Sequence, residues 1–209
     1  MIERISQLFT MTGARGTGKT TLAATYATKD AVGEKAIEAA LDKVVYFDSE
    51  SSANNLRRGF REAGVGDFGM YVNLQERFAD LPGDDDLLDL ISQGKPPWVS
   101  AGQAGALIDY YLYIVSELKK ITPNKYTTLV IDTCEKLEAG MASLVERDKR
   151  EWGVGNTAYG KLWTDGVFPL YENLIQAVHQ RGIETVILTF HLKNVWEGNR
   201  PVPGKVAMS

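Results

Sequence analysis

A single cysteine, Cys134, is all the thiol chemistry in this sequence. That excludes an internal disulfide and fits a reducing, cytoplasmic compartment. Long hydrophobic runs are missing as well. None approaches the ~18 residues a membrane span needs, and Met1-Ile2-Glu3-Arg4 does not open a secretory signal, so no membrane association is expected. Charge of one sign is not in excess. The formal balance of -4 argues against a uniformly basic, nucleic-acid-coating surface and leaves room for a local basic patch. No internal repeat is present.

What is there belongs to a globular chain with a core: 44% hydrophobic and 24% charged residues. A length of 209 residues fits one domain over 1–209 better than two small ones. Val206-Ala207-Met208-Ser209 begins hydrophobic and stops without a terminating signal, so a further strand or tail is expected beyond it.

Leu8-Phe9-Thr10-Met11-Thr12 is a short apolar, β-branched run ending in a glycine-rich turn, the pattern of a buried strand. A helix is expected from Gly18 to about Gly33, with Leu22, Tyr26 and several alanines on one side. Glu34 to Leu41 adds a short helix. Lys43 to Asp48 reads as a second buried strand, followed by a helix carrying Leu56, Phe60 and Ala63, and Gly69 to Leu74 as a third strand. Residues 75–103, with the acidic run Asp84-Asp85-Asp86 and the turn Gly94-Lys95-Pro96-Pro97, read as a surface insertion. Leu107, Ile108, Tyr111, Leu112, Val115 and Leu118 recur at helical spacing up to Pro123. Thr127 to Asp132 is a fourth strand. Trp163 to Val178 is a helix started or kinked by Pro169 and stopped by Gly182, and Glu184 to Phe190 is a fifth strand. Apolar strands alternating with helices predict an α/β fold, a parallel sheet covered on both faces.

Gly13-Ala14-Arg15-Gly16-Thr17-Gly18-Lys19-Thr20 meets the pattern G-x-x-x-x-G-K-[ST] in full, between a predicted strand and a predicted helix. The glycines let successive backbone N–H groups turn inward onto a phosphate beside the positive end of the next helix. Lys19 sets a cation against the β and γ oxygens, and Thr20 offers a hydroxyl to Mg²⁺; Thr21 completes the nucleotide-binding stretch. ATP, or a close relative, is the expected ligand. Asp132, a carboxylate ending an apolar strand, is the expected partner of the magnesium.

A second acid is needed to orient the attacking water. Glu50 lies just past the second strand and would face the γ-phosphate if that strand neighbours the Asp132 strand. Glu135 is the competing base, and a plain helix-capping role for Glu50 is the other alternative. His191 directly follows the fifth strand, where a polar side chain can touch the γ-phosphate. His179 has no expected role, and Cys134 reads as a small buried filler beside Asp132.

These residues together resemble the RecA-like branch of P-loop ATPases. The features are the GARGTGKT turn, a second strand ending in Asp48-Ser49-Glu50, an LVID strand ending in Asp132, and a fifth strand ending Thr189-Phe190-His191. Within that branch the sequence is similar to compact phage-borne AAA-family ATP-binding proteins, some of which act in single-strand annealing and recombination. The likeness runs from Leu8 to Gly204. It implies strand order 3-2-4-5-1 and a catalytic role for Glu50. It also implies that the loops after strands four and five, 141–161 and 192–205, meet single-stranded DNA. The first carries Arg147, Lys149, Arg150, Trp152 and Tyr159; the second carries Lys193, Trp196, Arg200 and Lys205. Their net charges are +1 (four basic, three acidic) and +2 (three basic, one acidic), and cations interleaved with rings suit a single strand. RecA itself has a polymerisation element before its P-loop. Here Gly13 lies almost at the first residue, which speaks against a filament of that kind and leaves another homo-oligomer open.

Two other functions compete with a DNA-directed ATPase. A P-loop kinase of a small molecule or nucleotide would carry an arginine-rich lid, and no arginine cluster follows the fourth strand. A non-hydrolysing, ATP-dependent interaction module would keep the cradle and lack turnover.

Overall fold

The computed structural model describes residues 7–14, 16–81, 101–151, 163–197 and 200–208; for 101–102, 149–151, 163, 192–197 and 200–208 it describes the backbone alone. β1 (Gln7–Gly13) leads through the glycine turn into α1 (Lys19–Ala27), and α2 (Glu34–Leu41) precedes β2 (Val44–Asp48). Then come α3 (Asn54–Glu62), β3 (Met70–Asn73) and the single turn α4 (Leu74–Arg77). After α5 (Ala101–Lys120) follow β4 (Thr128–Asp132) and α6 (Glu135–Glu151). A π-helical turn at Trp163–Val167 opens α7 (Phe168–Gln180), and β5 (Thr185–Glu197) and β6 (Arg200–Met208) close the described chain.

Five strands pair in parallel in the order β1-β5-β4-β2-β3. Read from the other edge this is the expected 3-2-4-5-1, and the fold is the α/β fold the sequence predicts. β2 and β4 are buried at every residue, as central strands with apolar runs must be.

The register decides what shares a face. Phe9, Ile187, Val130, Tyr46 and Tyr71 lie side by side across β1, β5, β4, β2 and β3. Because side chains alternate along a strand, residues two further on share that face. These are Met11, Thr189, Asp132, Asp48 and Asn73, and after them Gly13 and His191. One face is thus apolar in its middle and polar at its carboxyl edge. Ala23 and Ala24 of α1 are fully buried in the core with Tyr46, Val130 and Ile187, and their small side chains let the helix axis lie close to the sheet.

Contacts divide the chain into two compact units. The first (Met1–Ala79, Ile121–Cys134, Val178–His191) contains the parallel sheet. The second (Asp80–Lys120, Glu135–Ala177, Leu192–Ser209) is helical with a β-hairpin. In the second, Leu107 and Ala139 are buried together with Leu81 against them. Gly140 is the point of closest approach between α5 and α6: a Cβ there would run into the Leu107 carbonyl and the Tyr111 side chain. From Leu192 on, β5 pairs antiparallel with β6, with a register irregularity between Asn194 and Trp196.

Some expectations are corrected. Leu22 is 56% exposed, so only the alanines and Tyr26 turn α1 inward. The segment 141–161 is not a loop over its first half. α6 continues to Glu151 because Leu137, Met141, Ala142 and Val145 recur at helical spacing; Trp152 and Tyr159 lie outside the described residues, as do the side chains of Lys149 and Arg150. The segment 192–205 is mostly hairpin strand rather than loop, and the side chains of Lys193, Trp196, Arg200 and Lys205 are likewise outside. So is nearly all of the expected insertion at 75–103, apart from α4, the residues up to Leu81 and the start of α5. Pro169 is the second α-helical residue of α7, directly after the π-helical turn, and Gly182 follows with φ 83°.

Candidate functional site

The turn after β1 is built on backbone. Gly16 and Gly18 take φ 75° and 84°, left-handed values that strain any residue with a Cβ. Gly13 has no room for one either, since Thr17 Oγ1 would lie 2.5 Å away. Thr17 closes the turn with its N–H and hydroxyl on the Ala14 carbonyl, at 3.3 and 2.8 Å. Lys19 is 9% exposed, and its Nζ donates to the Gly13 and Ala14 carbonyls at 2.9 and 3.1 Å. The ammonium therefore lies inside the cradle, next to the start of α1. Arg15 is outside the described residues. Thr21 is exposed, and its carbonyl accepts from Thr25 Oγ1 one helical turn on.

Asp132 is the centre of a cluster of hydroxyls. Its Oδ2 accepts from Thr20 Oγ1 at 2.6 Å, Tyr46 OH at 2.8 Å and Ser52 Oγ at 3.0 Å; its Oδ1 accepts from Thr189 Oγ1. Oδ2 thus receives three of the four hydroxyls and Oδ1 one. Thr20 and Ser52 also touch each other, Oγ to Oγ 3.1 Å. The four side-chain groups bonded to the Asp132 carboxylate are all hydroxyl oxygens, and oxygens are the donor set of a hard divalent cation. Thr20, Asp132 and Ser52 therefore fit Mg²⁺, which is ordinarily held by one or two carboxylates together with substrate phosphates. Burial first, and then the Asp132 charge, push the Tyr46 phenol well above its ordinary value, so it stays a donor.

Asp48 lies beside Asp132 in register and does different work. Its Oδ1 accepts the backbone N–H of Glu50 (3.1 Å) and Ser52 (3.0 Å); its Oδ2 accepts the N–H of Ala53 (2.8 Å) and the hydroxyl of Tyr71 (2.8 Å). Burial, helped by the Asp132 charge, leaves its carboxyl above the usual range, although these donors pull the other way. The turn 49–53 hangs from this one side chain. Ser51, at its apex, holds φ 56° without being glycine, and its hydroxyl is 3.0 Å from Asn73 Oδ1 at the tip of β3. On the outside, the Arg57 guanidinium stacks 3.6 Å over the Tyr71 ring and forks onto both oxygens of Asp67 at 2.8 Å.

That turn carries Glu50 towards β5. Glu50 Oε2 lies 3.6 Å from His191 Nε2, with the two side chains 18% and 5% exposed. His191 is the register partner of Gly13. The fold therefore gathers Lys19, Thr20, Asp132, Glu50 and His191, from four separate stretches of sequence, at one edge of one sheet face. Cys134 is buried and in no disulfide, its N–H on the Thr189 carbonyl at 3.0 Å. His179 bonds through Nδ1 to the Ile183 carbonyl at 2.7 Å, in the turn after α7. Glu135, the alternative acid, is the first residue of α6 and fully buried.

Sequence reasoning missed Tyr46, Asp48, Ser52 and Tyr71 as site residues and took Thr189 only as part of a strand end. The signal was the period of two: Asp48 and Asp132 end their strands in step, and Tyr46 lies two residues before one of them. Ser52 gave no such signal, because a serine in a turn is ordinary. A separate cavity of about 510 Å³ opens at the opposite end of the sheet, lined by Tyr26, Lys29, Ala36, Thr127 and Glu184 among others. It shares no residue with this cluster.

Residues 5–159, well over half of the chain, match a family described as AAA domain. The matched span includes the glycine turn, Glu50 and Asp132 and ends before His191. No curated protein matches the chain. Among the described residues no helix is long and apolar enough to cross a membrane.

Proposed function

This chain belongs to the AAA-domain family of P-loop ATPases, and from that premise we propose that it is a Mg²⁺-dependent ATPase of RecA-like type acting on single-stranded DNA in phage-type recombination or replication. The observation that carries the nucleotide part is the 2.6 Å bond from Thr20 to Asp132. It joins the P-loop helix to a strand-end carboxylate more than a hundred residues away, and the two would hold Mg²⁺ between them. When bound, Mg²⁺ neutralises charge on the phosphate oxygens.

The chain's own residues divide the rest of the work. The amides of residues 13–18 and the Lys19 ammonium bind the β and γ phosphates. Glu50 orients a water in line with the γ-phosphorus and takes its proton as the new P–O bond forms. The bond from the γ-phosphorus to the β–γ bridging oxygen breaks, and ADP and inorganic phosphate leave. His191, 3.6 Å from Glu50, contacts the γ-phosphate in this reading and registers its loss. Residues 1–209 act in this reading as one ATPase domain, with 75–103 as an insertion, in a cytoplasmic protein.

The DNA part has its own support. It rests on the basic excess of 192–205 in an acidic chain, on a hairpin that continues the strand bearing His191, and on Arg147 exposed near the end of α6. A change at the γ-phosphate beside His191 can bias the hairpin that begins one residue later.

One experiment separates the readings: phosphate release from Mg-ATP, with and without single-stranded DNA, beside a fluorescence titration of labelled DNA at several salt concentrations. Turnover stimulated by DNA is the expected result. Turnover without DNA binding in the ATP state at low salt leaves an ATPase with another partner. ATP binding without phosphate release points to a non-hydrolysing module, and transfer to an added acceptor in place of water points to a kinase.

A further inference from the structure

We infer that Ser52 is a further oxygen ligand of the divalent cation, and that through it cation binding fixes the turn that carries Glu50. The inference rests on the Mg-nucleotide reading above. Ser52 Oγ lies 3.0 Å from Asp132 Oδ2 and 3.1 Å from Thr20 Oγ1, the two groups that would hold the metal. It is the only described side chain that touches both of these and also the Asp48 carboxylate, at 3.4 Å. A hydroxyl at that point has two uses. It can turn a lone pair to a hard cation, or its hydrogen to a metal-bound water or carboxylate.

The consequence is mechanical. Ser52 N–H and Glu50 N–H share Asp48 Oδ1 as acceptor, so the hydroxyl that meets the cation and the backbone that aims Glu50 move as one piece. The turn is held at Ser51 in a left-handed conformation, φ 56°, which non-glycine residues seldom keep unless their surroundings hold them there. A cation pulling on Ser52 would hold the turn in place from the phosphate side, as Asp48 and Asn73 hold it from the sheet side. Glu50 is then set for chemistry when the metal is present, and a cation-free nucleotide meets a looser glutamate.

The test uses the full chain, Mn²⁺ as the probe and ADP as the nucleotide. Bound Mn²⁺ is counted by electron paramagnetic resonance, and hydrogen exchange is followed at the amides of residues 50–53. Ser52→Ala should weaken Mn²⁺ in the ADP complex by about tenfold, the scale of losing a group that supports a metal site. ADP affinity without metal should be unchanged, and Ser52→Thr, which keeps the hydroxyl, should recover most of the loss. In the wild type, Mn²⁺-ADP should slow exchange at 50–53 more than ADP alone; in Ser52→Ala that difference should vanish. Ser52 is exposed, so the alanine variant should fold, and Ser52→Gly gives a second reading of the same loss. Equal Mn²⁺ affinity in wild type and Ser52→Ala overturns the inference while leaving the nucleotide site intact. Unaltered exchange on adding Mn²⁺ overturns the coupling. A wild type that binds no ADP under any condition overturns both this inference and the function it rests on.

Discussion

The turn at 13–18 and the turn at 49–53 lie at the tips of strands in the same sheet, and they are held by opposite means. The first is held within its own stretch of chain: two glycines at positive φ, a threonine bonding its own turn, and Lys19 on two carbonyls of the same loop. The second is held by side chains from elsewhere: Asp48 from β2, Asn73 from β3, Tyr71 behind Asp48, and Ser52 reaching Asp132 on β4. A cradle held within one stretch needs particular residue types at fixed spacing and carries its information locally. A side-chain-built turn needs only that the right strands become neighbours.

Changes on the two sides should therefore fail differently, and four of them sharpen the contrast. The largest effect is expected at the second turn. Glu50→Gln should bind Mg-ATP like the wild type and turn over about 10²–10⁴-fold more slowly, the range of a lost general base. Glu135→Gln should do much less; single-turnover phosphate release measures both, and the reverse ranking would mean that α6 supplies the base.

Next is Lys19→Ala, on the cradle side. It should lose ATP affinity through charge-assisted bonds worth about 1.5–3 kcal/mol each, a tenfold to hundredfold rise in Kd, with thermal stability almost unchanged. Calorimetry showing wild-type affinity would remove the cradle assignment.

Asp48→Ala comes third and should show the contrast most directly. It leaves three backbone N–H groups of the turn without their acceptor, at a cost of about 1–3 kcal/mol in unfolding free energy for each one that water does not reach. Turnover should fall with it, while ADP affinity in the absence of metal stays where it was. A loss of affinity as large as that of Lys19→Ala would show that the two turns are not held separately.

The smallest effect lies at the outer support of the second turn. Burial alone would raise the Asp67 carboxyl, but the Arg57 fork, the Phe68 N–H and the charges of Arg57 and Arg61 outweigh it and hold it below its usual value. A folded pKa below the unfolded one adds stability that is present above the unfolded value and is lost as pH falls through the folded one. The Arg57–Asp67 pair is about three-quarters or more buried and should contribute about 0.5–1 kcal/mol. Denaturant melts from neutral pH downwards should show the difference between wild type and Arg57→Ala shrink in acid. A constant difference would place the role of Arg57 in its stacking on Tyr71 instead.

Legibility in the sequence followed the same division. The glycine turn, the five strands, the alternation with helices and the Asp132 strand end could all be read, because each depends on neighbours within a few residues or on a period along one segment. Asp48 and Glu50 were both visible at the end of β2, and only the reading of Glu50 as a site residue was drawn. Nothing local says that Asp48 bonds backward onto the turn, since that depends on how the chain bends after the strand. The family resemblance implies a loop in the segment after β4, whereas the segment's apolar positions 137, 141, 142 and 145 continue a helix that packs on α5 through Gly140.

By itself the sequence determined the cradle, the five parallel strands and the P-loop family, because glycine spacing and apolar period act over a few bonds and survive in any context. Tertiary structure alone decided that Thr20, Ser52 and Tyr46 meet on Asp132, that Asp48 holds the turn of Glu50, and that Glu50 comes to His191. Those meetings follow from strand order and register, which place β4 between β2 and β5 and bring the even-numbered side chains of β2 and β4 onto one face with the odd-numbered ones of β1, β3 and β5. Contacts between residues so far apart in the chain are written in which strands pair, and pairing is settled by the burial of the whole sheet rather than by any residue at the site.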